Sequence, residues 1–310
     1  MKEIKKVALG VIAMALLLVA ADWAVGSWSE MMYRTSKSGP YNKQKYCLNE
    51  SKEDLLILGS SRASHHYVSK ILEDSLGMSC FNAGSDGMCI YYSYSVLSSR
   101  IKRCFIPKVV LLEVMPEDCK VSKDHSFTLD GTLEAISPHY GEFDKIDSLF
   151  YIKGFLERFK LLSKTYLYNS KLAELLKSHL SFSNATKGFE PLDGVIASID
   201  IPRYTKEDKC VVDRAKVQCL TEFINLCMDN DIKLYFFYSP RLNYKKDASL
   251  QYLFDIAKKY NIRVYDYGMD NKYRDSMYFY DGSHLNSLGA TRYTKEIATC
   301  LKYDLNQSNR

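Results

Sequence analysis

Asp54-Leu55-Leu56-Ile57-Leu58-Gly59-Ser60-Ser61 is the stretch on which the fold turns. A short continuous apolar run stopped by glycine reads as a strand buried on both faces. The serines after it open a stretch with helical spacing over 60–76. The same unit recurs along the chain. Strands are expected over 79–82, 108–114, 233–238 and 263–267, and helices over 91–103, 211–230, 248–260 and 286–303. Strands alternating with helices at these intervals predict an α/β fold, a layered sheet of about five parallel strands with helices on both faces.

The alternation breaks once. From 119 to 205 no strong strand occurs, but Leu149-Phe150, Phe155-Leu156, Phe159, Leu161-Leu162, Tyr166-Leu167 and Leu172 to Leu176 keep a helical period. This predicts a mainly helical insertion. Insertions at the C-terminal edge of a parallel sheet commonly shape a binding site, though structural padding leaves the same signature.

The N-terminus carries Lys2, Lys5 and Lys6, then an uncharged run over 7–21 closed by Asp22, then Trp23 and Trp28. The uncharged run falls short of the roughly 20 residues that span a bilayer, but the tryptophan-bearing continuation suits the membrane interface. Residues 1–28 are therefore expected to be a membrane anchor, with a cleaved signal peptide as the alternative because Ala20, Ala21 and Ala24 offer small residues. Either way the lysines stay in the cytoplasm and the main domain lies outside it. The expected location is the cell membrane, single-pass, with residues 29–52 a polar tether and 53–305 the main domain.

The net charge of +5 has no focus beyond the N-terminus, and nothing in the chain reads as a nucleic-acid motif. The nine cysteines are odd in number, form no C-x-x-C and no zinc-like cluster, and read mostly as small core residues. No metal or cofactor is expected.

Three segments carry chemistry. Ser61 sits where the first strand becomes a helix, beside unpaired backbone N–H groups, though a serine there is also a common helix cap. Asp281-Gly282-Ser283-His284 stands before the last helix and offers a base with a carboxylate three residues away. Asn82-Ala83-Gly84-Ser85-Asp86-Gly87 follows the second strand and can present further N–H donors at the same sheet edge. Arg62 can bind a carboxylate or phosphate or form a local salt bridge. His65 and His66 lie about a turn further on, at the surface or behind the site, and Ser239-Pro240 can line a pocket.

In this order the segments resemble blocks one, two and five of the SGNH/GDSL hydrolase superfamily, over residues 54–305. The resemblance implies a flavodoxin-like α/β/α sandwich and ester hydrolysis or acyl transfer through an acyl-serine. It implies Ser61 as nucleophile with Ser60 in place of the motif aspartate, His284 as base and Asp281 as its partner. Ser61 and Gly87 N–H groups would form the oxyanion hole, with Asn82 and Arg62 at the oxyanion or substrate. One block departs: Met115-Pro116-Glu117-Asp118 puts Glu117 where block three has an asparagine donor, and an ionised Glu can only accept.

The layout also resembles membrane-anchored relatives that modify cell-envelope polysaccharides. The function expected is an extracytoplasmic serine esterase acting on O-acyl, above all O-acetyl, groups of envelope glycans. A polysaccharide O-acyltransferase with the same triad and a non-catalytic glycan-binding or assembly protein are the alternatives. The partners implied are an acylated glycan or other ester, the membrane and envelope-biosynthesis proteins, with no nucleic acid.

Overall fold

A computed structural model describes residues 1–122, 125–180, 186–197, 211–242 and 247–307. The strands are β1 (Leu55–Leu58), β2 (Cys80–Asn82), β3 (Val109–Glu113), β4 (Lys233–Tyr238) and β5 (Arg263–Asp266). The first helices are α1 (Lys2–Thr35), α2 (Gly39–Lys45), α3 (Ser61–His66), α4 (Ser69–Leu76), α5 (Ile90–Lys102) and α6 (Leu129–Ile136). The remainder are α7 (Asp144–Ile152), α8 (Phe155–Lys160), α9 (Leu172–Leu180), α10 (Arg214–Asp229), α11 (Ala248–Lys259) and α12 (Ser287–Gln307).

The chain divides into two compact units. The larger comprises residues 46–132 and 184–310 and is an α/β domain whose five strands, all parallel, run in the order β2-β1-β3-β4-β5. The chain moves from β1 outward to β2, then returns past β1 to β3 and onward to β5. The connections therefore reverse direction between β1 and β3, the point at which open parallel sheets generally bind ligands beyond the C-terminal ends of their strands. Alternate strand residues face opposite layers. Leu55, Ile57, Val109, Leu111 and Phe237 pack with Tyr67, Leu72, Tyr293 and Ile297 from the α3, α4 and α12 side. On the opposite side of the domain α5 packs against α10. β1 and β3 are buried throughout, as their unbroken apolar runs require.

The smaller unit comprises residues 1–45 and 133–183. Its core gathers Tyr33, Tyr168 and Leu175, and Tyr33 Oη lies 2.8 Å from Nε2 of the buried His139. The expected boundaries change here. The N-terminal helix continues to Thr35 rather than stopping at 28, and the supposed tether is largely helical. Much of the expected insertion groups with the N-terminal helix rather than with the sheet, and 186–197 is not helical. Residues 123–124, 181–185 and 198–205 of that insertion lie outside the described residues, as does Cys210 beyond it. Six of the eight described cysteines are buried.

The helix expected over 60–76 is broken in two. Tyr67 adopts an extended conformation (φ −116°), and Asn82 Nδ2 donates to Ala63 O (2.7 Å) and Tyr67 O (3.0 Å). The side chain at the end of β2 thus satisfies carbonyls that a continuous helix would have paired internally. α1 is long and apolar enough to cross a membrane.

Candidate active site

Ser61 begins α3 immediately after β1. Gly59 makes the turn at φ +137°, where a Cβ would come within 2.8 Å of Glu113 O, so only glycine fits between the strand ends. Ser60 holds the N-cap position but makes no side-chain cap bond, and its Oγ is buried without a partner. The simple helix-cap reading of these serines is thus not what the side chains do.

His284 lies before α12. Asp281 Oδ1 accepts the N–H groups of Ser283 (2.7 Å) and His284 (2.8 Å), an Asx-type turn that folds the loop back on itself. The other oxygen, Oδ2, lies 2.8 Å from His284 Nδ1. A carboxylate at Nδ1 places the ring proton there and leaves Nε2 as an acceptor. Ser61 Oγ is 2.8 Å from that Nε2 and donates to it. Burial pushes the Asp281 carboxyl up, but the hydrogen bonds from His284 and the Ser283 N–H outweigh it and hold it below the ordinary range. The structure therefore brings Ser61, His284 and Asp281 into one line of hydrogen bonds across 223 positions of sequence.

The other expected site residues fall elsewhere. Asn82 is fully buried, donates to the α3 carbonyls and accepts from Gly84 N–H (3.0 Å), so it shapes the turn rather than facing a substrate. Arg62 is also buried. Its Nη2 lies 2.6 Å from Glu113 Oε1, and its guanidinium stacks 4.2 Å over the Tyr238 ring. Its charge is spent on Glu113, so of its two expected uses the local ion pair is the one realised. Gly87 is in the left-handed region (φ +72°), and its carbonyl accepts from Phe127 N–H. The turn bearing Gly87 meets α3 closely: a Cβ on Gly84 would stand 2.4 Å from Ser64 N, and Asp86 lies 3.2 Å from His65 Nε2. Glu117 pairs with Lys120 at 3.1 Å and joins none of these residues.

Sequence reading missed a layer beneath the triad. Glu113, the last residue of β3, accepts from Ser239 N–H (3.1 Å), Ser239 Oγ (2.7 Å), Arg62 and the Tyr67 hydroxyl. Burial raises its pKa, opposed by Arg62 and these hydrogen bonds. His66 Nδ1 is 2.7 Å from Ser239 Oγ, and His66 Nε2 accepts the Leu285 N–H at 2.9 Å. A ring nitrogen that accepts an amide proton carries none itself, so His66 is the neutral Nδ1–H tautomer. Its pKa is driven far down by burial first, then by Arg62 and the neighbouring imidazoles. His66 thereby ties the peptide next to His284 to the end of β4. His65 and His66 are both buried, not surface residues, and Ser239 is inside this network rather than lining a pocket. Arg241 adds a cation at the triad loop, with Nη2 2.9 Å from Ser283 Oγ.

The segment 186–197 was also missed as a site element. Glu190 O lies 2.7 Å from His65 Nδ1, and a Cβ on Gly188 would fall 2.0 Å from Asn82 O. One signal pointed to the buried layer: a glutamate closing the apolar strand 108–114 demands a buried partner. No protein-family model and no curated protein matches this chain.

Proposed function

We propose that this chain is a serine esterase of the SGNH type, acting on O-acyl groups, O-acetyl above all, of cell-envelope glycans from the extracytoplasmic side of the membrane. The observation that carries the reading is the Ser61–His284–Asp281 line, with both contacts at 2.8 Å and the histidine tautomer set for proton abstraction.

In the proposed reaction His284 Nε2 takes the Ser61 proton as Oγ attacks the ester carbonyl. The Ser61 N–H, which starts a helix and has no intrahelical acceptor, and the Gly87 N–H hold the oxyanion. Collapse breaks the bond to the sugar oxygen, which takes the proton from imidazolium. Water then repeats the sequence on the acyl-serine and releases the acid. Asp281 keeps the imidazole oriented and balances its charge. If a second sugar hydroxyl replaces the water, the same residues perform acyl transfer. Glu117, engaged by Lys120, brings no donor to the site. The missing asparagine donor would cost roughly 10²–10³ in turnover.

The test is release of acetate from an O-acetylated glycan by the full-length protein in detergent or nanodiscs. Release by the wild type and none by Ser61→Ala supports the reading. Equal background in both overturns it, and acetate moved to an added acceptor glycan identifies the transferase.

A further inference from the structure

Helix α8 buries none of its residues. Phe155 is 80% exposed, Leu156 68%, Phe159 60%, and Leu162 just beyond it 78%. Large apolar side chains gathered in this way mark a surface that something covers.

The neighbouring contacts indicate what covers it. Ser163-Lys164-Thr165, directly after this stretch, is bound to Asp22 of α1. Ser163 Oγ donates to the Asp22 carboxylate at 2.5 Å, and the N–H groups of Lys164 and Thr165 do so at 2.9 and 3.2 Å. Thr165 Oγ1 also donates to Asp22 O at 2.9 Å. Lys164 lies 4.9 Å over the Trp23 ring and pairs with Glu30 at 2.9 Å. Asp22 is where the uncharged run 7–21 of α1 stops. The exposed apolar stretch is therefore clamped at the level where α1 changes from apolar to polar.

The charge fits the same surface. Arg158, Lys160 and Lys164 stand in and beside the stretch, and its one acid, Glu157, is engaged by Lys160 (3.0 Å) and the Tyr166 hydroxyl (2.5 Å). Apolar side chains interleaved with basic ones suit the boundary between acyl chains and anionic headgroups.

We propose that residues 155–162 are a second membrane contact. Phe155, Leu156, Phe159 and Leu162 enter the interfacial region beside the emerging α1, and Arg158 and Lys160 meet headgroup phosphates. One helix alone leaves a domain free to swivel about its axis. A second contact fixes the face that this unit turns to the bilayer. The inference rests on α1 being held in the bilayer, not on the esterase reading.

The test places single tryptophans in the full-length protein with Trp23→Phe and Trp28→Phe, where phenylalanine keeps a ring under Lys164. Phe155→Trp is the probe, and Leu17→Trp in α1 is the inserted reference. Both are reconstituted singly into nanodiscs of phosphatidylcholine and phosphatidylglycerol, with and without brominated acyl chains. The expected result for Phe155→Trp is blue-shifted emission, a loss in brominated lipid comparable to that of Leu17→Trp, and resistance to aqueous iodide. Quenching by iodide and not by brominated lipid overturns the proposal. Shielding from both quenchers also overturns it, because a protein surface then covers the patch. If Leu17→Trp is itself unquenched, the anchor reading falls and takes the second contact with it.

Discussion

The triad and the layer beneath it contain similar chemistry in opposite surroundings. Ser61, His284 and Asp281 are partly open to solvent and joined by two side-chain hydrogen bonds, as the proposed proton exchange with a substrate requires. Glu113, Arg62, Ser239 and His66 are buried and hold one another with nearly every polar atom engaged. The first group is free to react, whereas the second is bound to hold position. A histidine occurs in each, and its surroundings decide its part. His284 accepts from a serine at the surface, and His66 accepts from the Leu285 backbone inside.

That contrast predicts separable effects. Ser61→Ala is expected to remove esterase turnover by roughly 10⁴-fold or more, and Asp281→Asn by on the order of 10⁴. Both should leave thermal unfolding nearly unchanged, since neither residue is in the buried layer. Steady-state hydrolysis and a melting curve on the same preparations check this.

Glu113→Ala should do the reverse in kind. Breaking a buried ion pair from one side typically costs about 3–5 kcal/mol. Chemical denaturation should show that loss, and any fall in activity should follow from lost structure. A Glu113→Ala protein as stable as the wild type would show that the network does not hold the site.

His66 gives a pH signature. Its folded pKa lies well below 6.5, because burial and neighbouring cations disfavour the charged ring. Below pH 6.5 the unfolded chain takes up a proton that the folded chain refuses. Stability should therefore fall as pH drops from 6.5 toward the folded value, by up to about 1.4 kcal/mol per pH unit. His66→Gln can still accept from Leu285 and donate to Ser239, and should flatten that slope while retaining most activity. His66→Ala should lower kcat more than it raises KM, because it loosens the loop holding His284.

Asp281 makes the smallest contribution. Its folded pKa is depressed, so its stabilisation is present above the ordinary carboxylate value of 3.8 and lost as pH falls below it. Being nearly half exposed, its effect is screened by solvent. Asp281→Asn should alter the acid limb of unfolding only slightly.

The sheet was legible because β1, β3 and β4 are largely apolar runs with turn residues after them, and they fall within a residue or so of where the pattern puts them. The triad candidates were legible because Asp281 and His284 lie three apart and Ser61 follows β1. The buried layer was not, since Glu113, Arg62, Ser239 and His66 come from three separate elements and meet only after the sheet forms. Asn82 and Arg62 misled for a related reason. Motif position showed that they stand near the site but not that their side chains turn inward. The break between α3 and α4 was hidden because its cause, the Asn82 side chain, comes from another strand.

The most direct measurement is covalent labelling of the full-length protein by a fluorophosphonate probe, with Ser61→Ala and His284→Ala alongside. A serine activated by His284 should become labelled in the wild type and not in either variant, with the adduct on Ser61 by mass spectrometry. An unlabelled wild type, under conditions where a serine esterase labels fully, would contradict the account.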